Sequence, residues 1–169
     1  MGNTWDKEAI YELLHEKNIP FFAVEHPPAF TVEDILSYDL PRPEVGAKNL
    51  FLRDDKKRVY YLLTVKDDRS VSIKDFQIKA GTRRLSFASE QDLMAFLGLI
   101  PGAVSPFGIL NDESHSVVVY LDKCFKGGEI SVHPNENTAT VYLPADELME
   151  VIRENGNPVT YFDFSDISF

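Results

Sequence analysis

At 169 residues the chain has the length of one domain. A domain of this size buries roughly 70% of its extended surface, enough for a core without metal or disulfide staples. Hydrophobic residues make up 44% and charged residues 26%, with twelve Phe and seven Tyr, which excludes a disordered chain. Seventeen basic against twenty-seven acidic side chains leave a formal charge of −10. Such a field excludes DNA or any other polyanion bound through overall charge, so a nucleic-acid partner has to be gripped locally.

Taken in order, Thr4 is placed to cap a first helix with Ile10, Leu13 and Leu14 at helical spacing and Asn18 at its end. "IPFFAVEH" reads as a strand, "HPPAF" as a proline-stiffened turn, and Thr31 as the cap of a short helix reaching about Tyr38. "DLPRPEVGAK" is a loop, and "NLFLRDDKKRVYYLLTV" is a β-hairpin, two apolar runs around a charged turn. "VSI" reads as a third short strand and "KDFQIKAG" as a helix closed by Gly81. After "RLSF", Ser89 caps "EQDLMAFLG", with Leu93, Phe96 and Leu97 on one face and Gly98 at the end.

Past the loop "PGAVSPFGILND", the runs "SVVVYLD", "EISVHP" and "TATVYLP" predict an antiparallel meander. "ADELMEVIRENG" is an amphipathic helix with Leu148, Val151 and Ile152 inward, and "VTYFDF" a last strand opening an aromatic tail that docks on the core. Helices and strands alternate without a βαβ rhythm. The fold class is therefore α+β, one domain over 1–169 with a mixed, mostly antiparallel sheet flanked by helices.

Cys124 is the single cysteine, which excludes an internal disulfide and fits a reducing compartment; it reads as a small buried hydrophobe or an idle thiol. The start "MGNTWDKEAI" has charges where a leader needs an apolar run, and no stretch has the length of a membrane span. The expectation is a soluble, cytoplasmic protein with no membrane partner. Met1-Gly2-Asn3 fails as a lipidation signal because Asp6 stands where Ser or Thr is needed.

Nucleophile elbow, Walker loop, HExxH and CxxC are all missing, and His15, His26, His115 and His133 are far apart, so neither metal nor cofactor is expected. Three places remain. Lys48, between a Pro/Gly loop and an apolar strand, is either a snorkelling surface lysine or a positioned cation. His133, at a strand end before Pro134, can bond a ligand or merely a neighbouring carbonyl. Gly102 to Pro106 form a Gly-x-x-x-Pro turn whose N–H groups can cradle an oxyanion, or which simply joins helix to strand.

"EHPPAFTVED", "VGAKNLFLRD", "RLSFAS", "PGAVSPFGILND" and "VHPNENTATV" stand in the order and spacing of one family. The chain resembles the YbaK-like aminoacyl-tRNA deacylases, stand-alone relatives of the editing domain inserted in bacterial prolyl-tRNA synthetase. The resemblance spans nearly the whole sequence. It implies hydrolysis of a wrong amino acid from tRNA, because a missing methylene supplies only about 1–3 kcal/mol of discrimination at a synthetic site.

The "PGAVSPFG" form implies alanyl-tRNA(Pro) as substrate, with cysteinyl-tRNA(Pro) the competitor and a non-catalytic module binding the tRNA end or the synthetase the alternative of another class. By the same resemblance Lys48 orients the substrate and stabilises negative charge, Gly102 offers its N–H near the ester, and His133 and Asn49 hold the ester region and terminal adenosine. Ser105 and Pro106 shape the wall, Phe30, Thr31 and Val32 form the apolar side, and the substrate's own 2′-hydroxyl helps activate water. The implied partners are the acceptor end of mischarged tRNA(Pro) and, transiently, prolyl-tRNA synthetase. Local phosphate contacts would come from Arg53, Lys56, Lys57 and Arg58, or from Lys79, Arg83 and Arg84.

Overall fold

A computed structural model describes residues 5–167. Its strands divide between two sheets. β1 (Phe22–Glu25), β7 (Ala139–Pro144) and β6 (Glu129–Val132) form an antiparallel sheet in that order. The second sheet runs β4 (Leu85–Phe87), β2 (Ala47–Asp54), β3 (Tyr60–Lys66), β5 (Val118–Asp122) and β8 (Val159–Phe162). Within it β4, β2 and β3 are antiparallel neighbours, while β5 lies parallel to both β3 and β8. A bridge between Gly46 and Ser131 links the two sheets just before β2.

Alternation along these strands builds two cores. Phe51, Leu62, Val119 and Leu121 face the smaller sheet's Ile130, Val141 and Leu143 and the helices α1 (Lys7–Glu16), α4 (Glu90–Leu97) and α5 (Ala145–Glu154). Leu52, Leu63 and Val65 point the other way, onto Phe76 of α3 (Ile73–Ala80) and onto Phe164 and Ile167 of the tail. The aromatic tail is thus a second core: the Phe162 and Phe164 rings lie 4.7 Å apart and Phe76 stacks on Phe164 at 5.9 Å.

Local signals act as the sequence predicts at several ends. Thr31 Oγ1 accepts from Asp34 N–H at the start of α2 (Val32–Ser37), and Ser89 and Asp92 form a reciprocal capping box on α4. Gly81 and Gly98 close α3 and α4 at φ +74° and +64°, a conformation that costs glycine nothing. The first helix, however, is capped by Asp6, whose carboxylate accepts from Ala9 N–H; the expected cap, Thr4, lies outside the described residues.

Two expectations are corrected. "VSI" is no strand, because the Ser72 hydroxyl accepts from Asp75 N–H and makes Ile73 the first residue of α3. The three-stranded meander does not form either: β6 and β7 pair, but β5 belongs to the other sheet. Val119 and Leu121 fill one core and Tyr120 packs on the other, so β5 is apolar on both faces, as a strand buried between parallel neighbours must be. A turn at Lys123–Phe125, capped by Asp122, then carries the chain across to β6.

Candidate active site

The cleft opens at the start of β2, where the two sheets meet. It has a volume of about 220 Å³ and takes Phe30, Thr31 and Val32 from one wall, Gly102 and Val104 from another, and Lys48, Asn49 and His133 from its floor. Residues scattered over a hundred positions of sequence therefore converge. Ser105 and Pro106 do not join them; both are buried behind the wall, Ser105 completely.

Asn49 is held at both ends. Its carboxamide oxygen accepts from the buried Thr64 hydroxyl at 2.6 Å, directly across the β2–β3 ladder, and its nitrogen donates to the Val104 carbonyl at 3.0 Å. Asn49 thereby fixes the distance between β2 and the 101–105 loop. Ser105 does the same on the other side: its hydroxyl donates to the His133 carbonyl while accepting from Phe107 N–H. Thr64 was invisible as a site residue in the sequence, since nothing in a β-run marks the threonine that will face an asparagine.

His133 Nδ1 lies 2.9 Å from the Ala139 carbonyl, which can only accept, so Nδ1 carries the hydrogen and the Nε2 lone pair is left for a ligand. Burial holds the ring below the usual histidine value, against the bond to Ala139, and His26 lowers it further. The ring is accordingly neutral near pH 7.

Gly102 adopts φ +86°, and a Cβ there would stand 3.0 Å from the Phe30 ring. Its N–H donates to no described residue. Lys48, at the border of the same cleft, likewise has neither hydrogen bond nor ion pair among the described residues. Both are thus polar groups at the cleft whose capacity is unspent.

Elsewhere the charged candidates are partly engaged. Arg53 pairs with Asp92 at 2.8 Å, Arg83 with Asp55 at 2.6 Å and Lys79 with Asp166 at 2.9 Å, leaving Lys56, Lys57, Arg58 and Arg84 unpaired among the described residues. The β2–β3 turn that carries three of them lies about 20 Å along the strand from Lys48. Cys124 is exposed, not buried; partial desolvation and the neighbouring Asp122 push its thiol up to about 11, so little of it is thiolate at neutral pH. Among the described residues no group of three acidic, His or Cys side chains is placed to hold a metal ion, and no helix is long and apolar enough to cross a membrane.

The α+β domain thus carries a small cleft between its two sheets, floored by a lysine, an asparagine and a histidine and walled by the Gly-x-x-x-Pro loop. The model of the family "Aminoacyl-tRNA editing domain" matches residues 26–151, and the chain belongs to that family. It is 43% identical over 152 residues to the prolyl-tRNA editing protein ProX of Acetoanaerobium sticklandii, covering 89% of this chain and 93% of that protein. It is 33% identical over 146 residues to the prolyl-tRNA synthetase associated domain-containing protein 1 of Bos taurus, covering 83% and 85%. Among solved structures, one described as a candidate trans-editing enzyme for prolyl tRNA synthetase shares the fold with a TM-score of 0.70 at 18% identity, over 96% of this chain and 99% of that one.

Proposed function

We propose that this protein is a trans-editing deacylase that hydrolyses mischarged tRNA(Pro), with alanyl-tRNA(Pro) its substrate. One observation carries the reading: Lys48, Gly102 and His133, far apart in sequence, border one cleft with their polar capacity unspent. Family membership and the name of the Acetoanaerobium sticklandii relative, a prolyl-tRNA editing protein, support the substrate class.

In this reading the terminal ribose of the tRNA enters the 220 Å³ lobe with its free hydroxyl against Nε2 of His133. Water adds to the ester carbonyl carbon, assisted by the vicinal hydroxyl, and its oxygen becomes part of a tetrahedral intermediate. The negative oxygen of that intermediate is met by the Gly102 N–H and the Lys48 ammonium, groups that strengthen their hold as charge develops. The intermediate collapses with cleavage of the bond to the ribose oxygen, which receives the proton lost by water. Amino acid and tRNA leave.

Size selects the substrate. Behind the cleft, between Val32, Ile35, Ala47 and Val132, is a further chamber of about 50 Å³. That is room for about three or four water-sized groups, on the scale at which a single water needs roughly 10–15 Å³. Alanine's α-carbon, methyl and amino groups fit such a volume, and a pyrrolidine ring overfills it. The tRNA itself is gripped weakly, by the unpaired Lys56, Lys57, Arg58 and Arg84 against an adverse net charge.

The experiment is deacylation of alanyl-, cysteinyl- and prolyl-tRNA(Pro) by the purified protein and by Lys48→Ala, with and without chelator. Release of alanine alone, lost in the variant and indifferent to chelator, is the expected result. Tight tRNA binding without release from any substrate would replace the enzyme by a binding module, and preferential release of cysteine would replace the substrate.

A further inference from the structure

The chamber behind the cleft has a chemical bias of its own. Besides Asn49 and His133, which it shares with the cleft, three polar side chains line it, Asp67, Ser131 and Thr140, and each presents lone pairs. Ser131 Oγ spends its hydrogen on the Val45 carbonyl at 3.3 Å. Thr140 Oγ1 lies 2.9 Å from His26 Nε2, and His26 Nδ1 faces the Pro27 carbonyl at 2.8 Å; with the ring hydrogen on Nδ1, Nε2 is the acceptor and Thr140 the donor. Both hydroxyls are left with acceptor capacity only.

Asp67 supplies the charge. Its side chain is only 12% exposed; Oδ1 takes the Lys66 ammonium at 2.8 Å, while Oδ2 has no hydrogen-bond partner among the described residues. With Asp68 also 3.8 Å from Lys66, two carboxylates share one ammonium and the cluster keeps a net negative charge.

Gly46 explains how the carboxylate comes to be there. Its φ of −68° suits any residue, so the backbone does not require glycine. A Cβ at this position would, however, stand 2.2 Å from Asp67 Oδ2 and 3.1 Å from its Cγ. The absent side chain is what lets Oδ2 rest over the chain beside the chamber.

We propose that Asp67, with Ser131 and Thr140, forms the counter-site for the α-ammonium group of the aminoacyl ester. An ammonium has three N–H donors and no acceptor, and Asp67, Ser131 and Thr140 meet it with acceptors alone, one of them charged. The inference rests on the substrate reading above and adds to it a requirement for a free amino group, which size alone does not impose. Asp67 binds and orients substrate; it takes no part in bond cleavage.

The test uses binding, so that it does not depend on turnover. The probes are 3′-(L-alanylamino)-3′-deoxyadenosine and the matching lactyl amide, in which hydroxyl replaces amine; neither carries a hydrolysable ester. Calorimetry or NMR titration at pH 6.5 compares wild type, Asp67→Asn and Gly46→Ala. Wild type should prefer the aminoacyl probe by about tenfold or more, the worth of a charge-assisted hydrogen bond. Asp67→Asn should erase the preference and Gly46→Ala should reduce it, each with the lactyl affinity kept, which also shows that the variants are folded.

Binding of both probes without preference in wild type, or a preference intact in Asp67→Asn, overturns the inference and leaves the deacylase reading standing. Equal loss of both probes in Asp67→Asn overturns it as well, since the residue would then be structural. Failure of wild type to bind either probe overturns the inference together with the reading it rests on.

Discussion

The two walls of the cleft are built in opposite ways. The 101–108 wall is part of the core: Ser105 and Phe107 are fully buried, Asn49 and Ser105 tie it to β2 and to His133, and the Asn135 amide reaches the Phe107 carbonyl. The facing wall, Phe30 to Ser37, buries no residue of its helix and leaves Phe30 64% and Leu36 57% exposed. It is held by local bonds, Asp34 to the Phe30 N–H and the Tyr38 hydroxyl to the Pro28 carbonyl. A cleft with one wall in the core and the other resting on it can measure a small group against the first and admit it past the second.

Damage to the buried wall should therefore cost stability and selectivity together. Phe107→Ala removes a ring from the centre of the core and is expected to cost about 3–5 kcal/mol in denaturant unfolding. Asn49→Ala should cost about 1–3 kcal/mol, because the buried Thr64 hydroxyl loses its acceptor. Its sharper readout is the ratio of alanyl- to prolyl-tRNA deacylation, which should fall as the Val104 carbonyl is released. An unchanged ratio would show that the wall holds its position without Asn49.

Gly102 lies where the two walls touch. Gly102→Ala meets both a left-handed φ of +86° and the Phe30 ring at 3.0 Å, for a stability cost of about 1–2 kcal/mol from the backbone alone. Deacylation should drop more than stability, since the N–H at the ester shifts with the turn. Adding Phe30→Ala relieves the contact but not the dihedral, so full recovery of activity in the double variant would mean that the backbone tolerates the substitution.

How much of this the sequence carried depends on range. Caps and stops were legible at Thr31, Ser89, Gly81 and Gly98 because each is settled within four residues. The partner of β5 was not, since an apolar run such as "SVVVYLD" fits a meander edge and a doubly buried parallel strand alike until β3 and β8 are in place. In the site, Lys48, Gly102 and His133 were legible through the family's motifs. The bond from Asn49 to Val104 spans fifty-five residues, and the seat of Asp67 over Gly46 depends on how β3 ends beside the start of β2. Ser105 lies inside the wall and not on its cleft surface, holding His133 from behind, a position that burial decides and sequence does not show.

The smallest effect separates the walls most clearly. Thr31→Ala removes the side-chain cap of α2, worth about 1 kcal/mol to the helix itself. Because α2 buries no residue fully, its fraying exposes little apolar surface, and the global unfolding midpoint should shift by no more than a few tenths of a kcal/mol. Amide exchange from Asp34 to Tyr38 should nevertheless speed up about fivefold, the factor that 1 kcal/mol implies, while amides of the 103–108 wall keep their protection. If instead both segments lose protection together, the Phe30 to Ser37 wall is part of the cooperative core, and selection rests on a pocket rigid on every side.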